Sequence, residues 1–258
     1  MQAVYQGIKD ICHAHKVNII GGDTVSTTGP LALSVTLIGE VEGGKAVLRS
    51  GAQVGDYIGV TNTLGASRVG LETLLAQKSE TISTDSTETA DFLASFSFTQ
   101  MVHKRPEPQV KLGRLLATSG ATALNDISDG LASELNEIAK ASKVTLAVEI
   151  PNIPLHDEVI RWSSHGSFKK PYEYALYGGE DFQLVFPISE EGYHRLKDIA
   201  EITFIGRVID TLKAGEVFGF MKRFNDMNGH TFVKLQTATL DSDDTVCFKV
   251  LPKGYNHF

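Results

Sequence analysis

The sequence predicts an α+β protein built in layers, and three observations lead to this fold class. Segments with a strand pattern alternate with segments with a helix pattern along most of the 258 residues. Several strand segments alternate apolar and polar side chains, as strands with one solvated face do, whereas strands of doubly covered parallel sheets are apolar throughout. The composition, 42% hydrophobic and 21% charged, is ordinary for a globular protein. Helices packed on a sheet therefore fit better than a doubly wound parallel sheet.

Local periodicity predicts the elements in chain order. In residues 3–16 apolar side chains recur every three or four positions, which indicates a helix, and LALSVTLIGEV (31–41) alternates as a strand does. The same criteria predict further strands at 17–20, 56–61, 121–126, 144–150, 182–187 and 202–209, and short strands in the tail. Further helices are predicted from Gly65 through Leu75 and at 109–119, 129–142, 171–177 and 189–199.

Domain organisation follows from two connectors. The turn-rich LRSGAQVGD predicts a boundary near residue 50, which separates a first domain at 1–50 from an α+β domain at 51–258. The polar, Ser- and Thr-rich segment 79–89 predicts a surface loop, with a mobile lid as the alternative. Because the chain opens directly in a helix, we expect the first domain to be incomplete and the second complete.

Bulk properties exclude several classes of function. A net charge of −7 without a Lys- or Arg-rich block argues against nucleic acid as a partner. No apolar run is long enough to span a bilayer, and no signal-peptide layout is present, so we expect no membrane partner. Cys12 and Cys247 are far apart and in no metal spacing, which predicts a reducing, cytoplasmic location.

The segment NDISDG, residues 125–130, carries the strongest chemical signal. Asp126 is predicted at the end of a strand, and Ser128 and Asp129 at the start of the next helix. A helix N-terminus favours phosphate oxygens, and paired carboxylates favour a hard divalent cation such as Mg²⁺. The alternative is that Ser128 or Asp129 is a simple N-cap, which would leave Asp126 unexplained.

Two other segments place glycines beside an acid at an element boundary. In GGDTVSTTGP, Gly22 lets the backbone approach a ligand and Asp23 supplies a carboxylate. In YGGEDF, Glu180 and Asp181 point in different directions, so at most one faces a given site. A solvated turn acid is the alternative in both cases.

Arg49, which follows an apolar stretch, is either a phosphate clamp or a surface ion-pair partner. Acidic loop edges, glycines and one arginine together are the inventory of a magnesium–nucleotide site, although neither a Walker A loop nor GxGxxG is present. Such a site favours phosphoryl transfer, which needs positioning and charge neutralisation more than a nucleophile. His156, Trp162 and His165 have no nucleophile nearby and are interpreted as packing and surface residues.

The sequence resembles the thiamine-monophosphate kinases of the aminoimidazole ribonucleotide synthetase-like superfamily. The resembling segments occur in the family's order and cover nearly the whole chain: GGDT (21–24), LRSGAQVGD (48–56), RPEPQV (105–110), NDISDGLASEL (125–135), YGGEDFQLVF (177–186), FIGRV (204–208) and GYNHF (254–258). The resemblance implies the superfamily's layered α/β sandwich, with residues 1–50 as the remainder of an N-terminal ATP- and metal-binding domain.

The resemblance also implies an activity and a set of site residues. The implied reaction is ATP-dependent conversion of thiamine monophosphate to thiamine diphosphate with Mg²⁺, by direct attack of the substrate phosphate and with no catalytic side chain. The implied metal ligands are Asp23, Asp126 and Asp129. The implied ATP contacts are Gly22, Asp23, Arg49 and Ser128, and the implied substrate contacts are Glu180 and Tyr255, with Ser128 capping the helix as well.

The sequence departs from the family at its start. Family members begin with a Gly- and Asp-rich metal-binding segment before the helix with which this chain opens, and strands of that region help to form the family's homodimer. Two alternatives therefore stand beside the kinase hypothesis. One is a truncated, non-catalytic nucleotide-binding or oligomerisation module of the same fold. The other is a related superfamily enzyme with a different phosphate acceptor.

Overall fold

The structure is a computed structural model that describes residues 1–79, 87–165, 169–210, 215–220 and 247–250. Its chain divides into two units, Met1–Glu40 and Val41–Phe258. The predicted loop at 79–89 lies mostly outside the described residues, and a helix of the second unit already begins at Thr87.

The first unit contains one regular element within its 40 residues, helix α1 (Gln2–Ala14), where a helix was predicted at 3–16. The strands predicted at 17–20 and 31–41 are wrong, because neither segment is in a strand. A strand needs a neighbour to accept its backbone hydrogen bonds, and no segment of this unit supplies one. The alternating apolar side chains are consequently exposed, Val35 by 71% and Leu37 by 78%.

The second unit contains helices and one mixed sheet. Its described helices are α2 (Ala66–Lys78), α3 (Thr87–Ala94), α4 (Ser97–Lys104), α5 (Val110–Ser119), α6 (Leu131–Ser142), α7 (Asp157–Ser164), α8 (Pro171–Tyr177) and α9 (Glu190–Leu196). Its described strands are β1 (Tyr57–Thr61), β2 (Asn125–Ile127), β3 (Thr145–Glu149), β4 (Gln183–Ile188), β5 (Ile202–Asp210), β6 (Val217–Phe220) and β7 (Cys247–Lys249). Most predicted elements of this unit are confirmed, whereas α3, α4 and α7 were not predicted.

The strands lie in the order β2-β4-β1-β5-β3-β6-β7. Neighbours are antiparallel except for β3 and β6, which are parallel. Strand β1 therefore sits inside the sheet, and its residues after Tyr57 are fully buried. Strand β2 is at the edge of the sheet as the structure describes it, and it leads into NDISDG.

Helices cover both faces of the sheet. On β4, Val185 packs in a cluster with residues of α6 and α8, whereas Phe186 packs in another cluster with Leu116 of α5 and Leu196 of α9. This alternation is the period of two expected for a strand, and it places α6 and α8 on the opposite face from α5 and α9. The result is the layered α+β arrangement that the sequence predicts.

A third cluster joins α2 and α7 to α8 through Val69, Phe96, Val159 and Tyr174. Trp162 packs edge-on against Phe96 with ring centroids 5.4 Å apart, which confirms its interpretation as a packing residue. None of the described helices combines the length and the apolar character that crossing a membrane requires.

Candidate functional site

The NDISDG segment lies at the end of the edge strand β2. Asp126 is opposite Leu184 in the pairing with β4. The side chains of Asn125 and Ile127 are buried, while Asp126 is exposed. The alternation of the strand therefore turns Asp126 away from the core, and Ser128 and Asp129 follow it before α6 begins at Leu131.

The start of α6 differs from the prediction. The N-cap is Gly130, without a side-chain cap, so the predicted capping role of Ser128 is wrong, as is the simple N-cap alternative for Asp129. Gly130 has φ 97°, and a Cβ there would lie 2.8 Å from the carbonyl oxygen of Leu176. Only glycine fits so close to α8 in this conformation, and the two preceding side chains are therefore not committed to capping the helix.

The YGGEDF segment lies directly against this turn. The backbone N–H of Glu180 donates to the carbonyl oxygen of Ser128 at 2.8 Å, and that of Phe182 donates to Ile127 at 2.9 Å. Both Glu180 and Phe182 have positive φ, 70° and 49°. These hydrogen bonds bring Glu180 beside Ser128, although 52 positions separate the two residues in the sequence.

Arg49 reaches the same edge from the other side of β2. The N–H of Leu124 donates to the carbonyl oxygen of Leu48 at 3.0 Å, which aligns the Arg49 segment with the start of the strand. The guanidinium donates from Nη2 to Oδ1 of Asn125 at 3.2 Å and lies 3.7 Å from a carboxylate oxygen of Glu137. Its side chain is half exposed, so it can also meet a ligand.

Glu134 is a part of this site that sequence reasoning missed. Its carboxylate is buried on α6 and accepts hydrogen bonds from Asn125 Nδ2 and from the backbone N–H of Asp129, the latter at 3.4 Å. Burial raises the pKa of Glu134, and the negative charges of Asp126 and Asp129 raise it further, against the hydrogen bond from Asp129 and the charge of Arg49. A glutamate inside an amphipathic helix gives no sequence signal for such a role.

Asp181 faces away from the NDISDG turn, in agreement with the prediction that at most one of the two acids faces a given site. Its carboxylate accepts hydrogen bonds from the backbone N–H groups of Gly65 and Ser67 at the start of α2. Burial raises the pKa of Asp181 to about 7, against the lowering effect of these hydrogen bonds. Asp181 also lines a cavity of about 570 Å³ whose wall includes residues of α4 and of the segment 105–109.

The carboxylates at the turn fit a hard divalent cation only in part. Among the described residues, no three His, Cys, Asp or Glu side chains converge on one point. Mg²⁺ is commonly held by one or two carboxylates, with phosphate and water oxygens completing the octahedron. Asp126 and Asp129 could supply two such carboxylates, and no ion pair joins Asp126 to any basic residue that the structure describes.

The remaining predicted residues lie elsewhere. Gly22 and Asp23 belong to the first unit, in a segment without regular secondary structure, where Asp23 Oδ1 accepts from the N–H of Thr24 at 2.7 Å. Tyr255 lies outside the described residues. In the second unit, the structure therefore brings together Arg49, Asp126, Ser128, Asp129 and Glu180.

Comparison with known proteins identifies the family. Residues 53–216 match the C-terminal domain of AIR synthase related proteins, and residues 1–41 match the N-terminal domain. The thiamine-monophosphate kinase of Bacillus subtilis is 37% identical over all 258 residues. The chain belongs to the thiamine-monophosphate kinase family. The kinase of Aquifex aeolicus is 35% identical over 81% of the chain, and that of Escherichia coli is 34% identical over 74%.

The chain spans part of these kinases. It covers 70% of the Bacillus protein, 62% of the Aquifex protein and 54% of the Escherichia protein. The match to the N-terminal family domain ends at residue 41, and the match to the C-terminal domain begins at residue 53. The first compact unit ends at Glu40. The predicted boundary near residue 50, with domains at 1–50 and 51–258, stays a prediction.

Solved kinase structures confirm the fold class. A structure of AaThiL complexed with AMPPCP and TMP superposes with a TM-score of 0.54 at 33% identity, over 67% of this chain and 50% of that one. The thiamine-monophosphate kinase of Stenotrophomonas maltophilia gives a TM-score of 0.55 at 31% identity, over 66% of this chain and 52% of the other. The AIR synthase related fold is thus shared with the kinase family.

Proposed function

We propose that this chain binds ATP and thiamine monophosphate and transfers the γ-phosphate to the substrate phosphate, which yields thiamine diphosphate and ADP. The observation that carries the proposal is the hydrogen bond from Glu180 to Ser128, which joins the predicted substrate contact to the predicted nucleotide turn. Membership of the kinase family supports it, as does the binding of an ATP analogue and TMP by AaThiL.

The proposed nucleotide contacts are Gly22, Asp23, Arg49 and Ser128. Arg49 is suited to a phosphate because its planar guanidinium can donate two parallel hydrogen bonds. The Ser128 hydroxyl can rotate to donate one more, since it does not cap the helix and its contact with Glu134 is long, at 3.5 Å. In this reaction an anionic oxygen of the substrate phosphate attacks the γ-phosphorus while the bond to the β-bridging oxygen breaks, so no side chain has to act as nucleophile or base.

The proposed metal is Mg²⁺, with Asp23, Asp126 and Asp129 as the residues that would hold it. Bound there, Mg²⁺ would neutralise phosphate charge during transfer. The carboxylate at Glu180 would orient the acceptor, with Tyr255 as an aromatic surface for the thiamine rings. A cytoplasmic location and a homodimer complete the proposal, as the family resemblance implies.

The deciding experiment measures thiamine diphosphate formed from thiamine monophosphate and ATP with and without Mg²⁺. We expect turnover in wild-type protein and its loss in Asp126→Asn, because the amide removes a charged ligand. Asp198→Asn is the matched control, since Asp198 is an exposed turn residue after α9. Turnover that persists in Asp126→Asn would show that the metal site is wrongly assigned.

The two alternatives give other results in this assay and in a calorimetric titration with magnesium–ATP. A folded protein that binds magnesium–ATP without turnover would be a binding module. Turnover with another phosphorylated acceptor, but none with thiamine monophosphate, would indicate a related superfamily enzyme.

A further inference from the structure

Glu134 is an uncommon residue to find inside a core. It is 5% exposed, and none of the described Lys or Arg residues forms an ion pair with it. The Glu134 carboxylate accepts hydrogen bonds from three neutral donors. They are the side-chain amide of Asn125, the backbone N–H of Asp129 at 3.4 Å and the hydroxyl of Ser128 at 3.5 Å. A buried carboxylate held only by neutral donors is costly for folding, so fold stability alone does not explain it.

Glu134 is connected to Arg49 through hydrogen bonds of the Asn125 side chain. The amide nitrogen of Asn125 donates to Glu134, and its Oδ1 accepts from Arg49 at 3.2 Å. A carboxylate can only accept and a guanidinium can only donate. The two partners therefore fix the amide in one of its two orientations, with its nitrogen toward Glu134 and its carbonyl oxygen toward Arg49.

Glu134 also contacts the Ser128–Asp129 turn directly. Glu134 lies one turn into α6, and its carboxylate extends back past the start of the helix to the residues before Gly130. It contacts the hydroxyl of Ser128 and the backbone of Asp129, which are in the segment that also accepts the hydrogen bond from Glu180. One buried carboxylate is thus linked to Arg49 through Asn125 and to the Ser128–Asp129 turn directly.

We propose that Glu134 is a positioning residue that orients Arg49 through Asn125 and holds the Ser128–Asp129 turn in the conformation that receives magnesium–ATP. The inference rests on the proposed function and assigns no direct ligand contact to Glu134. Residues that orient metal-site ligands commonly change affinity by about 10- to 100-fold when they are replaced.

The test compares Glu134→Gln, Asn125→Ala and the control Glu191→Gln, which makes the same substitution at an exposed position on α9. We expect Glu134→Gln to weaken magnesium–ATP binding at least tenfold by calorimetry. Asn125→Ala breaks only the connection to Arg49, so we expect a smaller loss of magnesium–ATP affinity. Binding of thiamine monophosphate alone is expected to change less than twofold in all three proteins.

A second readout uses the metal-free protein and needs no activity. Hydrogen exchange of the Asp129 amide is expected to accelerate in Glu134→Gln and to stay at the wild-type rate in Asn125→Ala, because only the first variant loses the carboxylate. If circular dichroism shows that Glu134→Gln does not fold, the affinity of Asn125→Ala for magnesium–ATP tests the connection to Arg49 by itself. Wild-type affinity in Asn125→Ala would then overturn the proposed orientation of Arg49.

The outcomes separate the inference from the proposed function. Wild-type affinity in a folded Glu134→Gln variant would overturn the positioning role and leave the kinase proposal intact. Failure of the wild-type protein to bind magnesium–ATP would overturn the proposed function of this chain, and the positioning role with it. Equal weakening of nucleotide and thiamine monophosphate binding would indicate a purely structural role and would also overturn the inference.

Discussion

The carboxylate of Asp181 accepts a hydrogen bond of 2.6 Å from the backbone N–H of Gly65, across 116 positions of sequence. It thereby meets one of the N–H groups that a helix start leaves without an intrahelical partner, here at α2. Its neighbour Glu180 lies on the other side of the segment, bonded through its N–H to Ser128. Adjacent acids therefore have separate roles, one in anchoring the loop and one at the proposed site.

Asp181 gives a prediction for the pH dependence of stability. Burial raises its pKa from the ordinary 3.8 to about 7. Between these values the folded protein binds a proton at Asp181 that the unfolded chain does not, so the contribution of this group to stability falls as pH rises from about 4 to about 7 and is constant above that. The loss from this group is on the order of 4 kcal/mol at most. Urea unfolding at pH 5 and pH 8 measures it.

The matching variant is Asp181→Asn, which is neutral in both states and is expected to show a shallower fall in stability between the two pH values than wild type. Asp198→Asn, an exposed aspartate, should keep the wild-type slope. An identical slope in wild type and Asp181→Asn would contradict the assignment.

Glu72 is predicted to be a stabilising hub among α2, α7 and α8. Its carboxylate accepts from Lys169 at 2.7 Å, Trp162 at 2.9 Å, Arg68 at 3.0 Å and Tyr174 at 3.1 Å. Burial acts to raise the pKa of Glu72, but hydrogen bonds from Lys169, Trp162 and Arg68 outweigh it and hold the pKa below 4.5.

We expect Glu72→Gln to lower the free energy of unfolding by about 1–3 kcal/mol at neutral pH, because the charged hydrogen bonds are lost. The difference from wild type should shrink as pH falls below 4.5, where the carboxylate of wild type becomes protonated. Circular dichroism during urea unfolding measures both effects. A variant as stable as wild type at pH 7 would show that the four donors find equivalent partners elsewhere.

Arg49→Lys tests the geometry of the proposed phosphate clamp. Lysine keeps the charge but loses the planar fork, so we expect magnesium–ATP affinity to fall about tenfold. The free energy of unfolding should stay within about 0.5 kcal/mol of wild type, because the side chain is half exposed. Calorimetry measures the affinity, with Arg114→Lys, an exposed arginine on α5, as the control. Unchanged affinity would mean that Arg49 only pairs with its neighbours.

The sequence was informative where local signals decide the structure. The helix at 171–177 was predicted with the bounds that the structure has, because Pro171 marks a helix start and periodicity continues to Tyr177. Strand β2 was predicted at 121–126 and lies at Asn125–Ile127, since its register depends on pairing with β4, about 60 positions away. The strands at 17–20 and 31–41 failed for the related reason that pairing partners are not encoded locally.

The loop residues of the candidate site could be predicted from the sequence, whereas the buried residue that contacts them could not. Asp126, Ser128 and Asp129 stand out because acids and a serine between a strand and a helix are a recognisable pattern. Glu134 does not, because a glutamate on a helix is usually solvated and only the tertiary structure buries it. The prediction of the helix cap was wrong because the N-cap pattern favours residues with a side-chain oxygen, such as Ser128 and Asp129, and Gly130 carries none.

Gly130→Ala tests whether the close approach of the NDISDG turn to α8 sets the site. Gly130 and Gly55 share φ 97°, but a Cβ at Gly130 would lie 2.8 Å from the carbonyl oxygen of Leu176, while nothing lies within 4 Å of one at Gly55. Gly55→Ala therefore measures the cost of a positive φ without a steric clash, about 1 kcal/mol. We expect Gly130→Ala to cost about 1–3 kcal/mol more, because backbone has to move.

The variants Gly130→Ala and Gly55→Ala also distinguish an effect on stability from an effect on magnesium–ATP binding. Displacement of the turn moves Ser128 and Asp129, so Gly130→Ala should weaken magnesium–ATP binding by about tenfold, which is the size of effect that loss of a supporting contact has at metal sites. Gly55 precedes β1 and touches none of the proposed ligands, so Gly55→Ala should bind as wild type does. Equal unfolding free energies in the two variants would show that α8 yields to the added methyl group. The turn would then not depend on its contact with that helix.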